Sequence, residues 1–292
     1  MKGIILAGGT GSRMFPSTLV INKHLLPVYD KPMIYYPLSL LMLLELREIF
    51  IVVNGKDLPA FKKLLHNGEP FGINISYVIQ EAPLGLAHAL MEVEEYAGKS
   101  PVCVILGDNI FFGHGLPDLL NACRKRVEAE GGAYIFAYHV PDPQRYGVVK
   151  FNSQGMVERL EEKPEQPPSN WAVVGLYFYD GTLWEILRAI RPSARGEYEI
   201  TSVNQAYLRE KRLRAKILGR GFTWFDAGTP ESFLEASEFV AVYERRSGKM
   251  LACPEEIALA KGWVSHREVW TRSNSFGRGH YARYLKKLVE ES

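Results

Sequence analysis

Short runs of apolar, β-favouring residues alternate along the first third of the chain with longer stretches whose apolar positions recur at helical spacing. Gly3 to Ala7 reads as a strand, Pro32 to Leu46 as a helix, Ile49 to Val53 as a strand, Asp57 to Leu65 as a helix and Ile73 to Ile79 as a strand. Leu86, Leu90 and Val93 follow i, i+4, i+7 spacing and lead into Val102 to Leu106, an unbroken apolar run of the kind buried on both faces. Alternation of this kind is built from crossover units. It predicts an α/β fold, a mixed, mostly parallel sheet with helices on both faces, in place by about residue 110.

The pattern changes at Ala133. Tyr134 to Tyr138, Gly147 to Phe151, Met156 to Leu160 after the turn Ser153-Gln154-Gly155, Val173 to Tyr179 and Phe222 to Asp226 follow one another as strands with little helix between them. That succession predicts an antiparallel annex or lid on the first sheet. Thr229 is placed to cap a helix opened by Pro230, with Phe233, Ala236, Val240 and Tyr243 on its buried face. Beyond Ser247-Gly248, the segment from Pro254 to Ala258 and the positions Tyr281, Tyr284, Leu285 and Leu288 read as a helical appendage, giving the division 1–248 and 249–292. No repeat or low-complexity tract interrupts this plan.

Composition narrows the partners. The 292 residues are 47% apolar, enough for a sizeable core, and 35 Lys+Arg against 33 Asp+Glu leave a formal charge of +2. So even a balance argues against nucleic acid or a membrane surface as partner and for a small-molecule ligand. Cys103, Cys123 and Cys253 are far apart and odd in number, so neither a disulfide framework nor a zinc site is expected, and a reducing cytoplasm fits best. The apolar run after Met1 is too short for a signal-peptide core, and Leu38 to Leu44 stops at Glu45, so secretion and membrane insertion are not expected.

The first strand runs into Gly8-Gly9-Thr10-Gly11-Ser12-Arg13, which can turn several backbone N–H groups toward phosphate oxygens. It is not a Walker loop, which ends in Gly-Lys-Ser/Thr. Nor is it the dinucleotide fingerprint, because Met14 stands where the third glycine belongs. A glycine-rich turn is often only a turn, but Arg13 follows at once and Lys23 lies ten residues on. Arg supplies a planar fork for phosphate and Lys a compact charge. Asp108 and Asp226 each close an apolar strand, which would bring two hard carboxylates to the carboxyl edge of the sheet; read alone, either is equally a turn or strand-end residue.

Leu6 to Arg13, Lys23-His24-Leu25-Leu26-Pro27-Val28 and Lys31 to Pro37 resemble the sugar nucleotidyltransferases. The resemblance continues in order through Leu106-Gly107-Asp108-Asn109, Arg145-Tyr146-Gly147-Val148, Glu161-Glu162-Lys163-Pro164, Arg195 to Thr201, Trp224 to Thr229 and Cys253 to Ala258. It implies a Rossmann-like nucleotide-binding part over about 1–110 and a sugar-binding part over about 133–226. In the long bacterial branch it implies transfer of dTMP from dTTP to glucose 1-phosphate. Carried onto this chain, it assigns Mg²⁺ to Asp108 and Asp226, the leaving pyrophosphate to Arg13 and the α-phosphorus to Lys23. Lys163 and Arg195 take the sugar phosphate; Tyr146, Gly147, Glu162 and Val173 take the sugar. Gly8, Gly9, Gly11, Gln80, Pro83 and Gly85 join Asp108 around the nucleotide. His24 stands where many members carry a nucleoside-contacting glutamine. A cytoplasmic homotetramer with feedback inhibition by a dTDP-sugar completes the expectation. Two other readings stay open: the same machinery on UTP or another sugar 1-phosphate, and a catalytically silent sensing subunit.

Overall fold

The computed structural model describes residues 1–291. Its first half runs through β1 (Lys2–Leu6), the short hairpin β2 (Pro27–Val28) and β3 (Lys31–Pro32), then α1 (Tyr35–Leu43), β4 (Glu48–Val53), α2 (Leu58–Leu65), β5 (Asn74–Ile79), α3 (Leu86–Met91), α4 (Glu94–Ala97) and β6 (Val102–Leu106). β6, β1, β4 and β5 pair in parallel in that order, as the alternation predicts. Consecutive residues of one strand enter different cores. Ile5, Ile51 and Ile105 pack with Leu38 of α1 and Phe61 of α2, whereas Ile4, Val52 and Val104 pack with Leu90 of α3. Strands apolar at every position are what a sheet covered on both faces requires, and each such side chain contributes about 1.5–3 kcal/mol on burial.

The second half continues with β7 (Asn109–Gly113), α5 (Leu116–Glu130), β8 (Ala133–His139), β9 (Gly147–Phe151), β10 (Val157–Glu162), β11 (Trp171–Tyr179), α6 (Leu183–Ala189), α7 (Ile200–Arg209), β12 (Leu213–Leu218), β13 (Phe222–Asp226) and α8 (Pro230–Ser247). The antiparallel annex is present, but it is continuous with the central sheet. β11 pairs antiparallel with β6 and β8, and β12 lies parallel to β8, so these strands extend the central sheet. Only the β9–β10 hairpin branches off, meeting β11 where Val148 faces Ala172. After β11 the chain runs through α6 and α7, whose Ile200, Val203 and Tyr207 pack into the same core as Ile4, before β12 takes its place parallel to β8.

β7 and β13 form a separate antiparallel ribbon with Asp226 opposite Asn109. α8 starts at a reciprocal capping box between Thr229 and Ser232, with Pro230 in its first turn; Ala236 and Val240 are buried, Phe233 and Tyr243 half-buried. After Gly248, α9 (Pro254–Ala260), α10 (His266–Ser275) and α11 (His280–Glu291) pack together, with α9 against α1. No helix among the described residues is long and apolar enough to cross a membrane.

Candidate active site

The chain leaves β1 through the glycine loop, which is braced on both flanks. Gly9 (φ 89°) and Gly11 (φ 64°) are left-handed, a conformation that favours glycine. Asn54 Nδ2 donates to the Gly9 carbonyl at 2.9 Å and Thr18 Oγ1 to that of Gly11 at 2.7 Å. Gly11 thereby opens the tight turn Ser12–Met14 that carries Arg13. Arg13 crosses to the far wall, where a Cβ on Gly228 would lie 2.6 Å from its Nη2 and 2.9 Å from Asp226 Oδ1. A side chain at this position would have to displace that guanidinium and that carboxylate.

Asp108 lies two residues beyond β6, and Asp226 is brought beside it by the β7–β13 ribbon, with Ala227 N donating to the Asp108 carbonyl at 2.9 Å. The second aspartate therefore does not arrive from the edge of the central sheet, as the strand-end argument expects. The two acids differ sharply. Asp108 is 6% exposed, paired with Lys23, and accepts from Asn109 Nδ2 at 3.0 Å. Burial alone would raise its pKa; the Lys23 ammonium, the His24 ring and those hydrogen bonds outweigh it and hold the carboxyl below the usual carboxylate range. Burial together with the Asp108 charge pushes Asp226 up to about 6, against Arg13, Lys23 and Arg145. Among the described residues no group of three or more His, Cys, Asp or Glu is placed to hold a metal ion. Two hard carboxylates with few protein ligands around them fit Mg²⁺, which draws most of its shell from water and phosphate, and do not fit zinc.

Both acids line a cleft of ≈ 430 Å³ together with Gly8, Gly9, Arg13, Lys23, Tyr146, Gly147, Glu162, Lys163, Val173 and Arg195. Most of the residues singled out in the sequence thus share one cavity, of a size that takes a small ligand. Lys163 is held at φ 42°, its N–H donating to the Tyr146 carbonyl at 3.0 Å. A non-glycine residue in that region is costly and recurs at functional sites. Glu162 Oε1 stands 3.9 Å from Lys163 Nζ and 3.8 Å from Arg195 Nη1, while Thr201 Oγ1 donates to its other oxygen. Arg195 also meets Glu197 at 3.3 Å and Glu199 at 3.6 Å, but both cations are half-exposed, where ion pairs are weak and an anion can compete for them. A Cβ on Gly147 would meet Thr201 Oγ1 at 3.0 Å.

Gln80, Pro83 and Gly85 line an adjoining pocket of ≈ 190 Å³ that shares Leu6, Gly8 and Gly9 with the main cleft. Gly85 (φ 109°) cannot carry a side chain, since a Cβ would lie 2.5 Å from the Tyr198 carbonyl oxygen. His24 lines the main cleft yet is only 1% exposed. Its Nδ1 sits 2.8 Å from Asn22 Oδ1 and must be the donor, and a Cβ on Gly107 would press within 2.6 Å of its Cδ2. Burial, then the Lys23 charge, lowers its pKa to about 3. Gly11 lines neither pocket and serves the turn.

The cleft also uses Asn109, Arg145, Tyr177, Glu197, Thr201 and Trp224, none of them singled out above as site residues. Trp224 Nε1 and Gly175 N both donate to Asn109 Oδ1, at 2.6 and 3.0 Å, which fixes the amide that supports Asp108. Strand period would have found some of them. Trp224 is two residues from Asp226, and Tyr177 is four from Val173, so each pair shares a face.

The Nucleotidyl transferase family matches residues 2–242. A glucose-1-phosphate thymidylyltransferase of Mycobacterium tuberculosis (strain ATCC 25618 / H37Rv) is 48% identical over 292 residues, 100% of both chains. One of Neisseria meningitidis serogroup A / serotype 4A (strain DSM 15465 / Z2491) is 46% identical over 291 residues, again 100% of both. Among solved structures, a UDP-glucose pyrophosphorylase complexed with UDP-glucose superposes with a TM-score of 0.73 at 28% identity, covering 84% of this chain and 99% of that one. A Bacillus anthracis chain in complex with sucrose reaches 0.75 at 38% identity, covering 82% and 94%.

Proposed function

The chain belongs to the nucleotidyl transferase family, and from that premise we propose that it transfers dTMP from dTTP to the phosphate of α-D-glucose 1-phosphate, giving dTDP-glucose and pyrophosphate. One observation carries the reading: Arg13, Lys23, Asp108, Lys163, Arg195 and Asp226 surround a single cleft. The nucleophile is a phosphate oxygen already anionic at neutral pH, so no base is needed to remove a proton, and His24, held neutral, is not asked to act as one. The oxygen attacks the α-phosphorus in line, forming one P–O bond as the bond to the β-phosphate breaks. The protein's contribution is alignment and charge neutralisation.

Lys163 and Arg195 hold the sugar phosphate, Tyr146, the Gly147 backbone, Glu162 and Val173 the sugar. Lys23 neutralises charge at the α-phosphorus, and Arg13 the departing pyrophosphate. Gln80, Pro83, Gly85 and the glycine loop receive the nucleoside. Asp108 and Asp226 would hold Mg²⁺, which when bound supplies further charge neutralisation at the phosphates. The test is a pyrophosphate-release screen of the purified protein across nucleoside triphosphates and sugar 1-phosphates, with product mass. Release with dTTP and glucose 1-phosphate is expected. Release with UTP in preference moves the reading toward UDP-glucose synthesis, as the likeness to a UDP-glucose pyrophosphorylase suggests. Nucleotide binding without release with any sugar phosphate makes the chain a sensing subunit.

A second reading within this proposal concerns regulation. A mainly apolar cleft of ≈ 560 Å³ lies between α1, the β7 ribbon and residues 250–261, lined by Leu40, Leu43, Phe111, Phe112, Met250 and Ile257. β7 leads to it directly from Asp108. The appendage 249–292 and this cleft would form a second dTDP-sugar site for feedback, in a cytoplasmic homotetramer. Truncation after Gly248 should abolish such inhibition if the truncated catalytic part stays soluble and active. Light scattering tests the assembly.

A further inference from the structure

Three side chains beside Gly85 form a relay that the phosphate chemistry does not use. Gln80 follows β5 and is 6% exposed. Its Nε2 donates to the Gly85 carbonyl at 3.3 Å and lies 3.2 Å from His88 Nδ1. A carbonyl oxygen can only accept, so the amide group facing Gly85 must be the NH2, and the amide's orientation follows from its partners. An NH2 group opposite Nδ1 requires that nitrogen to be the bare, accepting one. The ring proton then sits on Nε2, 3.4 Å from Glu92 Oε1, one helical turn along. The Tyr198 ring lies against the imidazole, with centroids 6.0 Å apart.

Both hydrogens of the Gln80 amide are thus engaged inside the protein. What remains is Oε1, an acceptor, aimed at the glycine loop: a Cβ on Gly8 would lie 2.9 Å from it. Gly8 and Gln80 line the same pocket. We propose that His88, oriented by Glu92, is a positioning residue for base selection, holding the Gln80 amide so that its oxygen faces the base and demands an N–H donor there. The inference rests on the nucleoside occupying this pocket, as the proposed function has it. A pyrimidine with an imide N3–H, such as thymine or uracil, supplies the donor. Cytosine presents the N3 lone pair, acceptor against acceptor, and an unpaired buried polar group is what discriminates strongly. Without an acceptor at residue 88, the long 3.3 Å hydrogen bond to the Gly85 carbonyl is left to hold the amide, so its NH2 turns outward more readily and either base is accommodated.

The experiment is pyrophosphate-release kinetics with dTTP and dCTP, at saturating glucose 1-phosphate, for the wild type, His88→Phe and His88→Asn. Phenylalanine keeps a ring without an acceptor; the asparagine Oδ1 can stand near the Nδ1 position. For His88→Phe the KM for dTTP should rise about 10-fold with kcat within about twofold, and the dTTP-to-dCTP ratio of kcat/KM should fall about 10-fold. His88→Asn should restore most of the ratio. A folded His88→Phe protein with an unchanged ratio, or with both nucleotides weakened equally, overturns the proposal; if that variant does not fold, a ratio for His88→Asn far below wild type does so. Equilibrium binding of dTTP and dCTP separates the two layers. A wild type that binds no dTTP defeats the functional reading, whereas one that binds dTTP with a preference indifferent to residue 88 defeats the role of His88 alone.

Discussion

Two regions of this molecule bury carboxylates and put them to opposite uses. In the appendage, Glu255 is fully buried, but Arg272 Nε donates to one oxygen at 2.6 Å and Tyr281 OH to the other at 2.5 Å. The guanidinium is sandwiched over Phe71 and Phe276, at 4.7 and 5.1 Å from the ring centroids. Each charge there is answered by the protein. In the cleft, Asp108 is answered by Lys23 and Asn109, while Asp226 is raised by burial and by the second carboxylate it faces. A closed set of partners makes a fastener; an open one is what the proposed Mg²⁺ site requires, a receptor for an outside cation. The number of buried charges says little, and their completion says which role they have.

The largest effect expected from breaking this comparison is at the fastener. Glu255→Ala should lower unfolding free energy by roughly 3–5 kcal/mol, because it strands the Arg272 charge in an apolar setting. Denaturant titration measures it. Glu255→Met combined with Arg272→Met should recover most of that loss, since removing both charges leaves nothing uncompensated; a double variant as unstable as the single one would show that the pair itself carries the stability.

Asp226→Asn should do the reverse. Turnover should fall by about 10²-fold or more, because a neutral amide holds a hard cation poorly. The thermal midpoint should stay level or rise, since a like-charge contact is relieved. A variant with near-normal kcat would remove Asp226 from the metal pair.

The same residue predicts a pH effect in a chelating buffer. Its folded pKa of about 6 lies above the ordinary 3.8, so between these values the native state holds the proton more tightly than the unfolded one. That stabilisation is present at pH 4 and disappears as pH rises through about 6. The wild type should therefore lose stability relative to Asp226→Asn across this window, with a limiting slope of about 1.4 kcal/mol per pH unit. Added Mg²⁺ should restore the wild type at pH 7 and leave the variant largely unmoved. Parallel pH curves for the two proteins would place the carboxyl in an ordinary environment.

The contrast between fastener and receptor was only half legible in the sequence. β1, β4 and β6 announce themselves because a strand buried on both faces must be apolar throughout. The glycine loop, Asp108 and Asp226 stand out because their residue types are unusual beside such runs. Glu255 gives no such sign. It sits at the start of a helix where acids are common, and its partners lie 17 and 26 residues on, with no periodicity linking them. The parallel pairing of β8 with β12 is hidden for a related reason: Leu213–Leu218 mixes charges into an edge strand, and the i, i+3, i+7 spacing of Ile200, Val203 and Tyr207 in α7 is the clue to the helix that precedes it. His88 is invisible because its role exists only through Gln80.

The smallest effect expected is at His24, between the two classes. Its ring is sealed and its one donor is committed to Asn22, so within the cleft it acts chiefly by holding the Asn22–Lys23 turn. A glutamine amide can also donate to Asn22 Oδ1. His24→Gln should therefore change KM for dTTP and UTP together by a factor of about 2 to 20, the scale of one neutral hydrogen bond, with kcat little altered. A change confined to one triphosphate would instead put this side chain on the base or ribose. The variant has a second signature, independent of catalysis. The folded ring has a pKa of about 3 against an ordinary 6.5, so below pH 6.5 the unfolded chain takes up a proton that the native state refuses. Native stability must then fall as pH drops from 6.5 toward 3, with a limiting slope of about 1.4 kcal/mol per pH unit from this one group. His24→Gln lacks the titrating ring and should be the more acid-stable protein, the gap between the two widening from pH 6.5 to pH 4.5 in denaturant titrations. Equal acid sensitivity would mean that the native ring accepts its proton, and that Lys23 and the surrounding core do not hold it neutral.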